Sequence, residues 1–452
     1  MRRPLGVLGP DLLLRLHERR PDRYPAILES VGGDAELGRY DVLLAVPGDC
    51  LQLRSDGSLE GPCLSSGKRS FLGCLDAWWA SEREALPGRQ KLPFTGGWFM
   101  YLGYELAAEI EPRLRLPDSL FPRALAWRMQ GAVVRDRLSG ETIACAEPEA
   151  AAALGAELDA DLEAAASDGP GCDGPIALAV EEDEPGRFLS GVETVLEAIA
   201  RGEVYQANLS RGWRARLPAR IRAADLYRRL RAANPAPFAG SARLPGFTVL
   251  SSSPERLLRI DGGMASTRPI AGTRPRGGTR EHDASLRAEL ELNEKERAEH
   301  VMLVDLERND LGRICRGGTV RVDEFMTIES YATVHHIVSN VSGQMRDGVT
   351  PGAAIAAVFP GGTITGCPKV RCMELLAQLE QAPRDAYTGS MGYLGRDGTL
   401  DLNILIRTLT LRGDVVGFRT GAGIVADSHP EAELAETRAK ARGLLRALGS
   451  ET

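Results

Sequence analysis

Two segments of this 452-residue chain carry paired glutamates at a spacing that suits metal chemistry. Glu296 and Glu299 are three residues apart, as are Glu433 and Glu436, and Lys440 follows Glu436 by four. On a helix, such spacing places the side chains on one face. One carboxylate from each helix, completed by water and substrate oxygens, is a ligand set typical of Mg²⁺. The spacing is equally typical of a solvated charged face, so both interpretations stay open at this point.

Residues 269–276, with the sequence PIAGTRPR, predict a strand end that runs into a tight turn permitted by Gly272. Thr273 and neighbouring amides can donate to an anion, and the two arginines nearby favour carboxylates. Ala271 carries only a methyl group and cannot act as a nucleophile. An ordinary basic turn would explain the same residues.

Two other glycine-containing turns offer backbone amides to an anion. Residues 359–366, FPGGTITG, precede a predicted helix, and a Gly/Thr turn at a helix start presents free N–H groups. They lack the GK[ST] ending of a P-loop. Gly421 and Gly423 follow a predicted strand in the same way.

His335 and His336 stand side by side in a chain with six histidines. Alternation along a strand predicts that one points into a site and the other away, although a structural role for both is an equal alternative. No Ser or Cys stands in a nucleophile elbow, which disfavours covalent acyl chemistry.

The composition is that of a soluble globular protein, with 43% hydrophobic and 26% charged residues. A formal net charge of -7 disfavours a nucleic-acid partner. Eight cysteines, at positions 50, 63, 74, 145, 172, 315, 367 and 372, form neither a CxxC pair nor a Cys/His cluster, so no zinc site and no disulfide framework is predicted. We expect a reducing, cytoplasmic compartment. No run approaches the roughly 18 apolar residues of a membrane span, and no signal peptide is predicted.

The patterning divides the chain into three segments. Residues 1–146 mix strand-like runs with polar turns. Residues 147–185 predict a linker with a surface helix at 149–166; a helix and loop inside one domain is the alternative. Residues 186–452 show sharper periodicity, with a helix that ends at Arg201-Gly202, a strand at 204–209, a helix at 285–307 and later antiparallel strands at 392–394, 402–410 and 415–419.

Taken in order, the motifs between residues 186 and 445 resemble the chorismate-utilising enzymes, which include anthranilate synthase component I, aminodeoxychorismate synthase component I, and the isochorismate and salicylate synthases. The resemblance rests on YQANLS at 205–210, SPE at 253–255, the segments 269–276, 298–310 and 359–369, VHH at 334–336, IRT at 406–408, and GAGIVADS at 421–428 with Glu436 and Lys440. It implies an α/β (α+β) fold, in which two antiparallel β-sheets pack as a sandwich with flanking helices. The first segment, 1–146, would contribute to that sandwich, and 186–452 would bind chorismate.

The resemblance also implies roles for single residues. Glu299 and Glu436 match Mg²⁺ ligands, supported by Glu296 and Glu433, and the metal would bind the ring carboxylate and make the C4 hydroxyl a better leaving group. Glu255 matches the general acid beside that hydroxyl, and His336 matches the histidine near C2. Arg407, Tyr387, Gly421 and Gly423 match binders of the enolpyruvyl carboxylate, and Gly272, Thr273, Thr363 and Lys440 complete the predicted pocket.

Gln206 and Ala271 bear on the reaction. Isochorismate-forming relatives carry a water-activating lysine at the position of Gln206, so glutamine there disfavours water addition and leaves the ammonia-using enzymes. Many aminodeoxychorismate synthases carry a lysine at the position of Ala271 that attacks C2, whereas anthranilate synthases usually carry alanine. The motifs at 334–336, 359–366 and 39–47, and the chain length, nevertheless resemble aminodeoxychorismate synthase.

The sequence therefore predicts an aminodeoxychorismate synthase without that lysine. Ammonia would add at C2 to give non-covalent 2-amino-2-deoxyisochorismate, and a second ammonia would attack C4 to give 4-amino-4-deoxychorismate for p-aminobenzoate and folate synthesis. Anthranilate synthase, which removes C2–H with loss of pyruvate, is the alternative. A catalytically silent regulatory subunit is a further alternative, but it would be expected to lack a metal carboxylate, Arg407 or Lys440.

Two partners follow from the resemblance. The chain carries no glutaminase signature, so ammonia is expected from a separate glutamine amidotransferase subunit in a heterodimer. Glu29 and Ser30 resemble the family's tryptophan-site motif, with Pro237 and Phe238 as the opposite wall.

Overall fold

A computed structural model describes residues 1–9, 11–32, 38–62, 67, 69–84, 92–167, 176, 178–331 and 334–450. Its strands are β1 (Arg2–Val7), β2 (Ala26–Glu29), β3 (Tyr40–Leu53), β4 (Leu59–Glu60), β5 (Gly97–Leu102), β6 (Ala124–Asp136), β7 (Glu141–Ala146), β8 (Glu181–Glu182), β9 (Gln206–Arg216), β10 (Phe238–Leu244), β11 (Phe247–Ser253), β12 (Arg256–Asp261), β13 (Met264–Arg268), β14 (Ile270–Pro275), β15 (Arg321–Ser330), β16 (Val334–Gln344), β17 (Gly366–Cys367), β18 (Ser390–Gly395), β19 (Leu400–Asn403), β20 (Thr408–Arg412) and β21 (Val415–Ile424).

The helices are α1 (Leu12–Arg19), α2 (Phe71–Glu82), α3 (Ala107–Ile110), α4 (Ala151–Ala166), α5 (Pro185–Ala200), α6 (Ala223–Ala233), α7 (Arg280–Leu292), α8 (Glu294–Gly312), α9 (Pro351–Val358), α10 (Lys369–Glu380) and α11 (Pro430–Ala447), with 3₁₀ turns at Tyr104–Leu106 and Gly362–Ile364. No helix among the described residues is long and apolar enough to cross a membrane.

The strands pair antiparallel and form one continuous hydrogen-bonded series. One arm follows β9–β21–β20–β11–β10–β2–β3–β6, and the other continues β6–β5–β18–β19–β12–β13–β16. The sheet therefore mixes strands from before residue 147 with strands from after residue 185, since β2 pairs with β10 and β5 with β18.

The two arms face each other across a buried core. Tyr101 on β5 and Phe247 on β11 stand edge to face with ring centroids 5.3 Å apart, and buried side chains of both arms form one apolar cluster. The α/β class with a large antiparallel sheet and flanking helices is confirmed. The two layers that the resemblance implies are arms of a single sheet, because β6 pairs with β3 along one edge and with β5 along the other.

The helix predicted at 149–166 is α4, while residues 168–171 of the loop predicted after it lie outside the described residues. The helix predicted to end at Arg201 is α5. It begins with Pro185, its N-cap Glu184 accepts from the Arg187 amide, and Phe188, Val192 and Val195 are buried at helical spacing.

Three predictions were wrong in detail. The helix predicted at 285–307 is two helices, because the Asn293 side chain accepts a hydrogen bond from the Glu296 amide at 3.0 Å and caps α8. The strand predicted at 402–410 is interrupted between β19 and β20. Residues 270–275 form strand β14 rather than a turn, with a shift in register at Gly272.

Candidate active site

Glu255 lies in the short link between strands β11 and β12, and this residue is 5% exposed. The Thr363 hydroxyl donates to its Oε1 at 2.8 Å, and the Ile270 amide also donates to it. Burial raises the pKa of Glu255 to about 7, opposed by these hydrogen bonds and by Lys440 and Arg407. A carboxyl group with this pKa holds a proton through much of the neutral range and can act as a general acid.

The His336 imidazole is buried on β16. Its Nδ1 lies 3.1 Å from the Gly272 carbonyl oxygen and 3.0 Å from the Thr273 hydroxyl. Burial, together with Arg407, lowers its pKa to about 3, so the ring is neutral at physiological pH. A carbonyl only accepts, so we assign the proton to Nδ1. The buried Nε2 is then an acceptor, and it has no partner among the described residues.

His335 faces a different set of groups. Its Nδ1 lies 2.8 Å from the Ser330 hydroxyl and its Nε2 lies 3.0 Å from Asp283. The alternation predicted for the two histidines therefore places only His336 beside the predicted site.

Gly272 is the point where α8 approaches β14. Its φ is 59°, and a Cβ there would lie 2.5 Å from Glu296 Oε2 and 2.7 Å from Leu290 Cδ1. A side chain is therefore excluded by strain and by space. The group that approaches the Gly272 backbone closely is therefore the protein's own Glu296 side chain.

The two arginines of residues 269–276 are also engaged by the protein. Arg274 pairs with Glu289 and Glu296, each at 2.8 Å, and Arg276 pairs with Asp283 at 2.7 Å. The sequence predicted that these arginines favour carboxylates, and the carboxylates that they meet belong to the protein itself.

Arg407 differs from these two arginines, since its side chain has no ion pair among the described residues. It stands between β19 and β20 with φ 51°, a conformation costly for a residue with a side chain. Its guanidinium makes no hydrogen bond or ion pair within the part of the chain that the structure describes, and burial lowers its pKa, opposed by Glu255. The site therefore presents an unmatched positive charge to an anion.

Two glycines of strand β21 leave room for the side chains of Tyr387 and Gln206. A Cβ on Gly421 would lie 2.6 Å from the Tyr387 hydroxyl, and one on Gly423 would lie 2.6 Å from Gln206 Nε2. Lys440 donates to the Gly421 carbonyl at 3.1 Å. The glycines thus bring Tyr387, Gln206 and Lys440 together along one strand.

Gln206 is buried, and its Oε1 has no hydrogen-bond partner among the described residues. Ala271 is half-buried on β14 opposite Ile337, and its methyl group adds no chemistry.

The predicted metal carboxylates lie on α8 and α11. Glu436 pairs with Lys440 at 2.7 Å, with both side chains about half exposed, whereas Glu433 is buried and Glu299 half-buried. In the described chain, no group of three or more His, Cys, Asp or Glu side chains converges on a metal position. Glu296 Oε2, however, is a buried carboxylate oxygen without a partner there. This donor set fits Mg²⁺, which needs only one or two carboxylates beside substrate and water.

The residues assigned to tryptophan line a separate cavity, together with Tyr40, Arg256 and Tyr393. The Ser30 hydroxyl donates to the Pro237 carbonyl at 2.7 Å and joins the two predicted walls. The Glu29 carboxylate accepts from Tyr227 at 2.7 Å and from Arg231 at 2.9 Å.

Sequence reasoning missed two groups of buried charged residues. Glu307 and Asp310, on α8, are each 5% exposed, and Asp310 pairs with Lys369 at 2.6 Å. Arg384 and Glu380 form a buried pair beside Tyr387. The i, i+4 spacing of Glu380 and Arg384 can be seen in the sequence, but the same spacing is common on solvated helices. Only the burial of both side chains distinguishes this pair from a solvated one.

Comparison with known proteins identifies the family. The model of the chorismate binding enzyme family matches residues 53–446, and this chain belongs to that family. The resemblance found in the sequence motifs is thereby confirmed.

The names of individual relatives give two different activities. The chain is 42% identical over 362 residues to an anthranilate synthase component I-like protein of Synechocystis sp., covering 79% of this chain and 74% of that protein. It is 48% identical over 261 residues to aminodeoxychorismate synthase component 1 of Bacillus subtilis, covering 58% and 55%. The crystal structure of anthranilate synthase component I from Streptococcus pneumoniae superimposes with a TM-score of 0.79 at 30% identity, covering 90% of this chain and 92% of that one.

Proposed function

We propose that this chain is the chorismate-aminating component of an aminodeoxychorismate synthase, which forms 4-amino-4-deoxychorismate from chorismate and ammonia. The observation that carries the use of ammonia is Gln206, a neutral amide whose buried Oε1 has no hydrogen-bond donor among the described residues. A neutral amide cannot take a proton from water, whereas free ammonia attacks without a base and can donate an N–H to this oxygen. The motifs at 334–336 and 359–366 favour this product over anthranilate.

Each end of chorismate has complementary groups in the site. Arg407, with the Tyr387 hydroxyl beside Gly421, would bind the enolpyruvyl carboxylate, because the guanidinium has no other counter-ion in the described chain. A Mg²⁺ ion held by Glu299 and Glu436, with Glu296 and Glu433 in support, would bind the ring carboxylate and make the C4 hydroxyl a better leaving group.

Glu255 supplies the proton that the departing hydroxyl needs. Glu255, held by Thr363, gives its proton to the C4 hydroxyl, which leaves as water while ammonia forms the C2–N bond and the ring double bonds shift. The new C2 ammonium then loses a proton to solvent, and solvent reprotonates Glu255. The product of this step is 2-amino-2-deoxyisochorismate. A second ammonia forms the C4–N bond as the double bonds shift back, and the C2 amine leaves as ammonia with a proton taken from solvent. The C4 ammonium returns a proton to solvent and becomes the C4 amine.

Anthranilate synthase is the second candidate, and two observations favour it. Ala271 stands where many aminodeoxychorismate synthases carry a lysine. The neutral His336, whose Nε2 has no partner in the part of the chain that the structure describes, can accept the C2 proton as pyruvate leaves.

Product analysis separates the two candidates. The purified protein is incubated with chorismate, Mg²⁺ and an ammonium salt. We expect a product that becomes p-aminobenzoate only after aminodeoxychorismate lyase is added. Fluorescent anthranilate and an equal amount of pyruvate would instead establish the second candidate.

We also propose that ammonia reaches this chain from a glutamine amidotransferase subunit, and that tryptophan binds in the cavity at Glu29 and Ser30. Glutamine should support turnover only when that subunit is added, whereas ammonium should support it without the subunit. Calorimetric titration with tryptophan tests the cavity.

A further inference from the structure

Arg384, between α10 and β18, uses every donor of its guanidinium inside the protein. Its side chain is 2% exposed. Nε and Nη2 donate to the two Glu380 carboxylate oxygens at 2.9 and 2.6 Å. Nη2 also donates to the Asn208 carbonyl at 2.6 Å, and Nη1 donates to the Ile364 carbonyl at 3.2 Å and the Thr388 hydroxyl at 3.3 Å. A guanidinium has five N–H donors, so none is left over.

The partners of Arg384 lie beside three different substrate-binding residues. Asn208 follows Gln206 on β9, Ile364 follows Thr363 in its 3₁₀ turn, and Thr388 follows Tyr387. The Asn208 side chain reaches two of these segments as well, with Nδ2 at 3.0 Å from the Ile364 carbonyl and 3.4 Å from the Tyr387 hydroxyl. One planar cation therefore connects three stretches of chain that are far apart in sequence.

Glu380 completes this arrangement from α10. It accepts from the Ser210 amide and hydroxyl, both at 2.8 Å, in addition to Arg384. Burial alone would raise the pKa of Glu380, but Arg384 and Arg419 lower it, so the carboxylate stays charged. A buried ion pair of this kind adds little stability over apolar packing, and its best-attested use is to specify geometry.

The segment at Tyr387 needs such support, because its backbone is strained. Asp385 and Thr388 have φ values of 53° and 61°. Conformations of this kind cost about 1–3 kcal/mol each and persist only where the surroundings impose them. Glu105 accepts from the Arg384 and Asp385 amides on one side of Tyr387, and the Arg384 guanidinium donates to Thr388 on the other.

We propose that Arg384 is a positioning residue that sets the spacing between Gln206, Thr363 and Tyr387 and thereby the fit of chorismate. The inference rests on the proposed function for its readout, since chorismate is the probe. Removing the guanidinium would let the three segments move apart by fractions of an ångström, and a displacement of about 1 Å can cost 10²-fold in rate.

Arg128 provides a matched control elsewhere in the fold. It is 5% exposed and donates to Glu82, to both oxygens of Glu147, and to the Gly97 and Met129 carbonyls. It is thus an equally buried and equally engaged arginine, and none of its partners is a predicted active-site residue.

The test compares Arg384→Lys with Arg128→Lys. Lysine keeps the charge but loses the planar fork and two donors. We expect both variants to unfold at lower denaturant concentration, while only Arg384→Lys loses about 10²-fold in kcat/KM, mainly through KM for chorismate. Equal kcat/KM losses in both variants, or wild-type kcat/KM in Arg384→Lys, would overturn the proposal.

Chemical rescue covers the case in which Arg384→Lys folds poorly. For Arg384→Ala, guanidinium at low millimolar concentration should restore chorismate turnover, whereas methylammonium should not; no rescue by guanidinium in a folded variant contradicts the proposal. Turnover is followed as chorismate consumption, so a different product leaves the test intact. If wild-type protein consumes no chorismate, the proposed function fails, and calorimetric chorismate binding by the same variants decides the inference.

Discussion

The candidate active site and the cavity at Glu29 and Ser30 differ in whether their buried polar atoms have hydrogen-bond partners. In the active site, buried atoms of Gln206, Glu296 and His336 have no partner in the described chain. In the cavity, no described lining residue has a buried side-chain polar atom without a partner. Unpaired buried polar atoms are costly and rare. The comparison indicates that the active site leaves buried polar atoms for a ligand to satisfy, whereas the buried polar atoms of the described cavity lining already have protein partners.

The largest effect on activity should come from substituting a predicted metal carboxylate, because these carboxylates belong to the active site and not to the cavity. Glu436→Gln should abolish Mg²⁺-dependent turnover and weaken Mg²⁺ binding, because a neutral amide is a poor ligand for a hard cation. Activity and Mg²⁺ titration are measured beside Glu431→Gln, an exposed residue of the same helix. Retained Mg²⁺-dependent activity in Glu436→Gln would remove this carboxylate from the ligand set.

Glu255→Gln should lower kcat by about 10²–10⁴-fold, because the site loses its proton donor. Single-turnover kinetics with chorismate and ammonium measure this loss. Glu60→Gln changes an exposed carboxyl on β4 and should leave kcat unchanged. A kcat for Glu255→Gln within tenfold of wild type would assign the proton to another group.

Arg407→Ala should raise KM for chorismate by about 10–10²-fold, since a hydrogen bond to a charged group contributes about 1.5–3 kcal/mol. Arg259→Ala, which changes an arginine that lines the cavity, should stay within about twofold of wild type. Similar KM values for wild type, Arg407→Ala and Arg259→Ala would contradict the contrast between the two regions, because Arg407 would then bind no carboxylate of chorismate.

The pH dependence should follow Glu255. With free ammonia held constant, kcat/KM should fall as pH rises above about 7, because the carboxyl loses its proton. His336, with a pKa of about 3, stays neutral and adds no change in this range. A kcat/KM that stays level or rises between pH 7 and 9 would contradict this assignment.

The same group links stability to pH. The pKa of Glu255 is about 7 in the folded chain against an ordinary 4.5, so the folded state binds more protons between these values. Stability from this group is therefore lost as pH rises through that window, by about 3 kcal/mol when complete. Urea unfolding at several pH values should show this loss in wild type and its absence in Glu255→Gln.

The smallest effect on activity should come from the cavity. Glu29→Gln should cost about 1–3 kcal/mol of stability, because Arg231 loses a charged partner, yet leave kcat/KM within about twofold. Urea unfolding and steady-state kinetics measure both quantities. A large loss of kcat/KM at unchanged stability would show that the two regions are coupled.

Local sequence patterns predicted helices and strands well where one kind of interaction, such as burial of an apolar face, determines the element. The apolar spacing of α5 needed no information from the rest of the fold. The break at Asn293 was missed because a side-chain cap competes with a continuous apolar pattern. The bulge at Gly272 was read as a turn because both conformations use the same positive φ.

The sequence by itself determined the family and the set of residues that the site draws on, because ordered motifs and residue chemistry are carried by the chain alone. Only the tertiary structure decided which of these residues keep an unsatisfied charge or acceptor. Arg274 and Arg407 are the same residue type, yet one is neutralised by Glu289 and Glu296 while the other has no counter-ion in the described chain. Burial and partners depend on contacts between distant segments, and these arise only when the arms of the sheet and the helices α8 and α11 pack together.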